Sequence, residues 1–111
     1  MQNLLTVVFE AHRADKNHHR RYSITIGRDL LEDWTVNIRY GRIGQAGREL
    51  RFGDRNAEAM RAIVRDRLKR RLSAPRRIGC TYRLQEFNAA PGFDAGSWLP
   101  KDVFGKLAFS D

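Results

Sequence analysis

The sequence predicts an α+β fold: a mostly antiparallel β-sheet of about five strands with one α-helix packed on one face, in the order β-β-β-β-α-β, followed by an irregular C-terminal tail. Three observations carry this expectation. Four segments ahead of residue 54 alternate apolar and polar side chains with the period of two that marks a half-buried strand. From Asp54 the apolar period lengthens to that of a helix, and after it a further alternating run begins at Ile78. A strand face and a helix stripe that are both apolar bury each other, which gives a sheet with a helix on one side. With 111 residues the chain can build one hydrophobic core and is short for two.

The first strand spans Asn3 to Ala11, with Leu5, Val7 and Phe9 on one face, although Leu4 and Val8 make the other face partly apolar. His12 to Arg21 is polar and reads as a loop. The second strand, Arg20 to Arg28, sets Tyr22, Ile24 and Ile26 against Ser23 and Thr25. A polar connection, Gly27 to Asp33, is interrupted by Leu30 and Leu31. The third strand, Trp34 to Arg42, alternates cleanly: Trp34, Val36, Ile38 and Tyr40 face one way, Thr35, Asn37 and Arg39 the other. Gly44-Gln45-Ala46-Gly47 is a tight turn, where glycine tolerates the positive φ that other residues resist. The fourth strand, Arg48 to Phe52, then closes a hairpin.

Beyond Asp54, Ala57, Met60, Ile63, Val64, Leu68 and Leu72 recur at helical spacing up to Ser73, where Ala74-Pro75 stops the helix. Asp54 or Asn56 is placed to cap its start. Arg65, Arg67, Lys69, Arg70 and Arg71 crowd its end, as suits the macrodipole. Arg71 falls within the apolar stripe. Either the last turn overhangs the sheet, or Arg71 lays its stem along the core and keeps its head in water. The fifth strand, Ile78 to Phe87, aligns Ile78, Cys80, Tyr82 and Leu84 on one face.

The chain divides at residue 88. Residues 1–87 form the domain proper and hold 19 basic and 10 acidic side chains; residues 88–111 form a C-terminal extension with 2 and 3. That tail carries Phe93, Trp98, Leu99, Val103, Phe104 and Phe109, too many large apolar groups for a free linker. The preferred reading folds it back over the sheet face that the helix leaves uncovered. The alternative is that it docks a partner or a second copy.

The charge balance points to a polyanion. There are 21 Lys plus Arg against 13 Asp plus Glu, a net charge of +8, and a sequence pI near 10.5. Each cation that neutralises a phosphate releases condensed counterions, so such a domain gathers polyanions whatever its fold. Arg outnumbers Lys by 17 to 4, and the planar guanidinium grips phosphate bidentately where Lys acts as a mobile point charge. A compositional bias toward Arg would look the same, and net charge speaks to association rather than fold. The single cysteine, Cys80, excludes an intrachain disulfide and argues for a reducing compartment. The start lacks the basic n-region and long apolar core of a signal peptide, and no apolar run approaches a membrane span. The expectation is a cytoplasmic protein.

The informative segment is Trp34 to Phe52. At Tyr40-Gly41-Arg42-Ile43-Gly44 an aromatic residue, a glycine and an arginine meet at a strand end just before a tight turn. Glycine beside the aromatic exposes backbone to a bulky ligand. The ring can stack on a sugar or base, and the arginine can clamp the adjacent phosphate. An amphipathic hairpin with Tyr40 in the core and Arg42 solvated would show the same pattern.

Residues 39–47, Arg-Tyr-Gly-Arg-Ile-Gly-Gln-Ala-Gly, resemble the core of the WGR domain, a family named for a Trp-Gly-Arg triplet in this hairpin. That domain occurs in poly(ADP-ribose) polymerases and in assorted bacterial proteins. Upstream, Asn17-His18-His19-Arg20-Arg21-Tyr22 is similar to the family's polar approach to the second strand, and the helix after Asp54 resembles its helix with a basic end. The likeness covers residues 3–87. It implies an antiparallel sheet with one helix and a role in contacting nucleic acid, DNA favoured over RNA. Carried over by position, Tyr40 stacks on a sugar and Arg42 binds backbone phosphate, with Arg39 and Arg48 beside them and Arg20 and His19 at the edge. Tyr40 departs from the family's tryptophan, with less stacking area and a hydroxyl that needs a partner. Arg48 stands where a glutamine is common, which adds positive charge.

No enzyme is expected. Glu32-Asp33 and Asp15 lack acid/base spacing, and Gly41, Gly44 and Gly47 are not a phosphate loop because no helix follows them. Cys80 alternates with Ile78 and Tyr82 and reads as a buried thiol. No cofactor and no metal site is expected: His18 and His19 are adjacent and point oppositely on an extended strand, His12 has no His-x-x-x-His or Cys-x-x-Cys mate, and all three read as solvated loop histidines. The basic helix end, Arg65 to Arg77, is either a second phosphate-binding ridge or a solvated face. The module therefore binds nucleic acid without catalysis, the alternative being a protein–protein interaction or accessory module of a nucleic-acid-processing system.

Overall fold

The computed structural model describes residues 2–31, 33–73 and 81–109. Its elements are β1 (Gln2–Arg13), a 3-10 turn (Ala14–Lys16), β2 (His18–Arg28), β3 (Trp34–Arg42), β4 (Arg48–Asp54), α1 (Ala57–Leu72), β5 (Arg83–Ala89), a second 3-10 turn (Ala95–Ser97) and α2 (Lys101–Phe109). The strands form one five-stranded sheet in the order β4-β3-β2-β1-β5, every neighbouring pair antiparallel. The expected α+β architecture is the observed one.

Strand periodicity fixes which side chains meet. In register, Val7, Ile24, Ile38 and Leu50 form one cross-strand row, and Leu5, Ile26, Val36 and Phe52 the next. Val7, Ile24, Ile26, Val36 and Ile38 have no exposed surface. Met60, Val64 and Leu68 of α1 close over this face, each at the helical spacing that the sequence shows. Asn56 caps the helix, its Oδ1 accepting from Glu58 N at 2.9 Å and Ala59 N at 3.3 Å. Asp54 instead shapes the approach, accepting from Asn56 N at 2.8 Å.

Three differences from the sequence reading have physical causes. The segment His12 to Arg21 is not a loop. Apart from the short turn Ala14–Asn17 it continues β1 and opens β2, with Asn17 in the left-handed region at φ 53°. Polar residues hide a strand where both its faces meet water, as they do at the free end of a hairpin. Thr81 and Tyr82 are not in the fifth strand, which spans Arg83–Ala89 and so runs past Phe87; Ile78 and Cys80 lie outside the described residues, and with them the reading of a buried thiol.

The third difference concerns the tail. It packs on the same face as α1, not on the opposite one. Trp98, Leu99 and Val103 are buried in the common core, the Trp98 ring lies 5.0 Å from Trp34, and Phe104 meets Phe9 edge-on at 6.1 Å. A helix is about 10 Å across, while five strands at about 4.8 Å span roughly twice that. α1 lies over β3 and β4, so the β1–β5 half of the apolar face needs a second cover. α2 supplies it, touching both β5 and α1, with Arg65 of α1 donating to Asp102 at 2.9 Å. The opposite face carries Thr6, Glu10, Arg21, Ser23, Thr25, Asn37, Arg39 and Glu49 by register and stays open.

Candidate nucleic-acid interface

The β3–β4 hairpin is built on two glycines that touch. A Cβ on Gly41 would come within 2.8 Å of Gly47 Cα, and one on Gly47 within 2.5 Å of Tyr40 O. Both have positive φ, 153° and 69°. The position that a Cβ would take on Gly41 is filled by its own hairpin, while Gly41 and Gly47 still line an open groove. The close crossing pins the two ends of the turn, and Ile43 N donates to His19 O at 2.9 Å, tying this hairpin to the start of β2.

Register then assembles the site. Tyr40 lies between Tyr22 on β2 and Arg48 on β4, and Arg42 stands directly opposite Arg20. Alternation places all of them on the helix-bearing side of the sheet, beyond the last turn of α1. Tyr22 is fully buried, with its ring 6.0 Å from Tyr40 and 6.3 Å from Tyr82. Tyr40 is half-buried, packed inward on Tyr22, while Arg20, Arg42 and Arg48 are exposed. Arg42 Nη1 donates to Asn17 O at 3.0 Å, a contact that the left-handed turn at Asn17 sets up.

Arg71 explains its place in the helix stripe. Its guanidinium lies 4.3 Å above the Tyr22 ring and 5.7 Å from Tyr82, so the stem is in the core and the head roofs the tyrosines. Burial pushes the Tyr22 hydroxyl up to about 12, against the pull of Arg71 and Arg67. Among the described residues that hydroxyl has no hydrogen-bond partner.

Two sequence-predicted residues do not join this group. Arg39 points to the open face and pairs with Glu49 at 3.4 Å. His19 also lies on the open face, where its Nδ1 meets His12 Nδ1 at 2.9 Å. That face holds a groove of about 470 Å³, lined by Thr6, Val8, Arg21, Ser23, Arg39 and Glu86 and bordered at the hairpin end by Tyr40, Gly41, Arg42 and the turn, so Tyr40 and Arg42 meet Arg39 at its rim. The sequence reading missed the part that Tyr22 and Tyr82 play here; Arg67 and Arg71 it held only as members of a candidate second basic ridge on the helix end, and the arginine in the apolar stripe was the signal that tied them to this site.

Ion pairing separates the arginines into two groups. Arg39 and Arg51 share Glu49, and Arg55, Arg61, Arg65 and Arg70 each hold a carboxylate. Among the described residues Arg20, Arg21, Arg42, Arg48, Arg67, Arg71 and Arg83 hold none, and all but Arg21 and Arg83 lie on the helix-bearing side. Of the carboxylates nearest this end, Glu10 is engaged by His12 and Asp15 by Arg13; the Arg13 hydrogen bond also holds the Asp15 carboxyl below its usual range. Unneutralised cations therefore concentrate around an aromatic ring at one end of the sheet, which is the chemistry of a phosphate-and-sugar contact. A family model described as the WGR domain matches residues 5–72. No curated protein and no solved structure matches the chain.

Proposed function

This chain belongs to the WGR domain family, and from that premise we propose that it is a non-catalytic nucleic-acid-binding module, with DNA preferred to RNA, that grips its ligand at the Tyr40–Arg42 end of the sheet. The family is of a nucleic-acid-binding type. One observation carries the reading for this chain: Arg20 and Arg42 face each other across β2 and β3 beside Tyr40, with no carboxylate among the described residues paired to either. Arg42 and Arg20 clamp phosphate, Arg48 adds charge on the far side of Tyr40, and the Tyr40 ring packs against a sugar. Arg39 and His19, on the other face, contribute to the field and meet only a ligand that wraps round the sheet end.

A protein-partner role was motivated by the apolar tail. Trp98, Leu99 and Val103 lie in the core, which supports the nucleic-acid reading over a docking role for the tail. No helix among the described residues is long and apolar enough to cross a membrane, and a cytoplasmic location is part of the proposal. The test is a binding panel of open-ended and circular duplexes, single strands and RNA at two salt concentrations. Binding should fall steeply with salt, and Arg42→Ala should cost about 1–3 kcal/mol as a lost charge-assisted contact. Absence of binding at low salt, or an Arg42→Ala variant that binds like the parent, would overturn the proposal.

A further inference from the structure

On the open face, at the free end of the β1–β2 hairpin, two imidazoles converge. His12 and His19 are direct cross-strand partners, their Nδ1 atoms 2.9 Å apart and their rings 5.2 Å apart at centroids with a 52° tilt. The far nitrogen of His12, Nε2, lies 2.9 Å from Glu10 Oε1. A carboxylate there accepts a hydrogen bond from Nε2–H and leaves the His12 Nδ1 lone pair bare, aimed at His19. This is the outer-shell arrangement that orients a metal-binding histidine and raises its basicity. Both rings are carried on paired strands, and His19 is further held because its carbonyl accepts from Ile43 N at 2.9 Å.

We propose that His12 and His19 form a two-nitrogen chelate for a divalent transition-metal ion of the Cu²⁺ or Ni²⁺ kind, with Glu10 as the group that orients His12. In the metal-free arrangement one proton lies between the two nitrogens. Shifting the His19 proton to its own Nε2 leaves two facing lone pairs, and a pivot of each ring brings them to a common point. Nitrogens that start 2.9 Å apart converge on one ion after a small pivot, and two imidazoles with the other positions left to water suit the tetragonal or octahedral centres of Cu²⁺ and Ni²⁺ better than a closed tetrahedral Zn²⁺ site. Among the described residues no third His, Cys, Asp or Glu completes a cluster, so water fills the remaining positions. His12 has 48% of its side chain exposed, which leaves the site open to solvent. Sequence spacing concealed the pair because a turn, not a helix, brings the two residues together.

The proposal stands apart from the nucleic-acid reading, since its test uses the protein and metal alone. Titration of Cu²⁺, Ni²⁺ and Zn²⁺ salts into the full chain, followed by calorimetry, should show one ion bound per chain, Cu²⁺ tighter than Ni²⁺ and Ni²⁺ tighter than Zn²⁺. His12→Ala and His19→Ala should each abolish that binding, and Glu10→Ala should weaken it by about tenfold or more. His18→Ala, on the opposite face, should leave it unchanged. Electron paramagnetic resonance of the Cu²⁺ form gives a check that needs no variant: coupling to two imidazole nitrogens is expected. Coupling to fewer than two, no binding by the parent chain, or unchanged affinity in either His12→Ala or His19→Ala overturns the site.

Discussion

Tyr22 shows how one residue couples packing to charge. It sits at the junction of β2, β3 and the last turn of α1, with 1% of its surface exposed. Its ring supports Tyr40 on one side and carries Arg71 on the other, so it underlies the proposed contact without touching a ligand. Its hydroxyl is buried, titrates near 12 and has no partner among the described residues. The sign of the pH dependence follows. Below about pH 10 the hydroxyl keeps its proton in both the folded and unfolded chain, and ionisation does not affect stability. Between about pH 10 and 12 the unfolded chain releases that proton while the folded chain retains it, so stability falls by about 2–3 kcal/mol. Tyr22→Phe removes this loss and breaks no hydrogen bond among the described residues. Chemical denaturation at pH 7.5 and at high pH should show near-equal stability of the two proteins at the former and a flatter alkaline decline in Tyr22→Phe. An alkaline decline as steep as the parent's would mean that Tyr22 ionises freely in the fold.

At the scale of elements, legibility tracked how strongly one face differs from the other. β3 was legible end to end, Trp34 to Arg42, because four large apolar residues alternate with polar ones. α1 was legible because its stripe runs from Ala57 to Leu72 and a capping Asn56 precedes it. The strand arms beside the first hairpin's turn were not: at His12, Arg13 and His18 to Arg21 both faces carry polar side chains, and alternation carries no information there. Within the candidate site, Tyr40, Arg42, Arg48 and Arg20 could be named from one motif, whereas their separation from Arg39 and His19 depends on which strand face each occupies. The tail's placement was hidden for another reason. Its apolar residues announced burial, but the uncovered strip between α1 and β5 exists only once the sheet order is known. Phe104 of α2 enters that strip against Phe9 and Phe87, while Trp98 seals the core beside it, tilted on Trp34, stacked with Phe93 and roofed by Arg61 at 5.0 Å. Trp98→Ala should therefore cost about 3–5 kcal/mol of stability, the loss expected for a large buried aromatic, read from the midpoint of a denaturant curve. A loss below about 1 kcal/mol would return the tail to the role of a docking segment.

For the whole molecule the relevant quantity is where the excess charge lies rather than its total of +8. Among the described residues most arginines of the open sheet face and the outer side of α1 are held in ion pairs, Arg21 and Arg83 excepted, while the helix-side end of the sheet, around Tyr40, carries Arg20, Arg42, Arg48, Arg67 and Arg71 with no carboxylate. Such an arrangement gives an oriented field, which steers a polyanion to one end and aligns it on arrival. Salt dependence separates this from diffuse attraction. On duplex DNA each phosphate neutralised contributes about −0.9 to the slope of log affinity against log salt concentration. Replacing Arg20 and Arg42 together by Ala should make that slope shallower by roughly two. Replacing Arg39 and Arg51 together removes the same formal charge from the face where both are held by Glu49, and should leave the slope nearly unaltered. If the two double variants flatten the slope equally, binding responds to net charge alone, and the contact at the Tyr40 end loses its distinction from the rest of the basic surface.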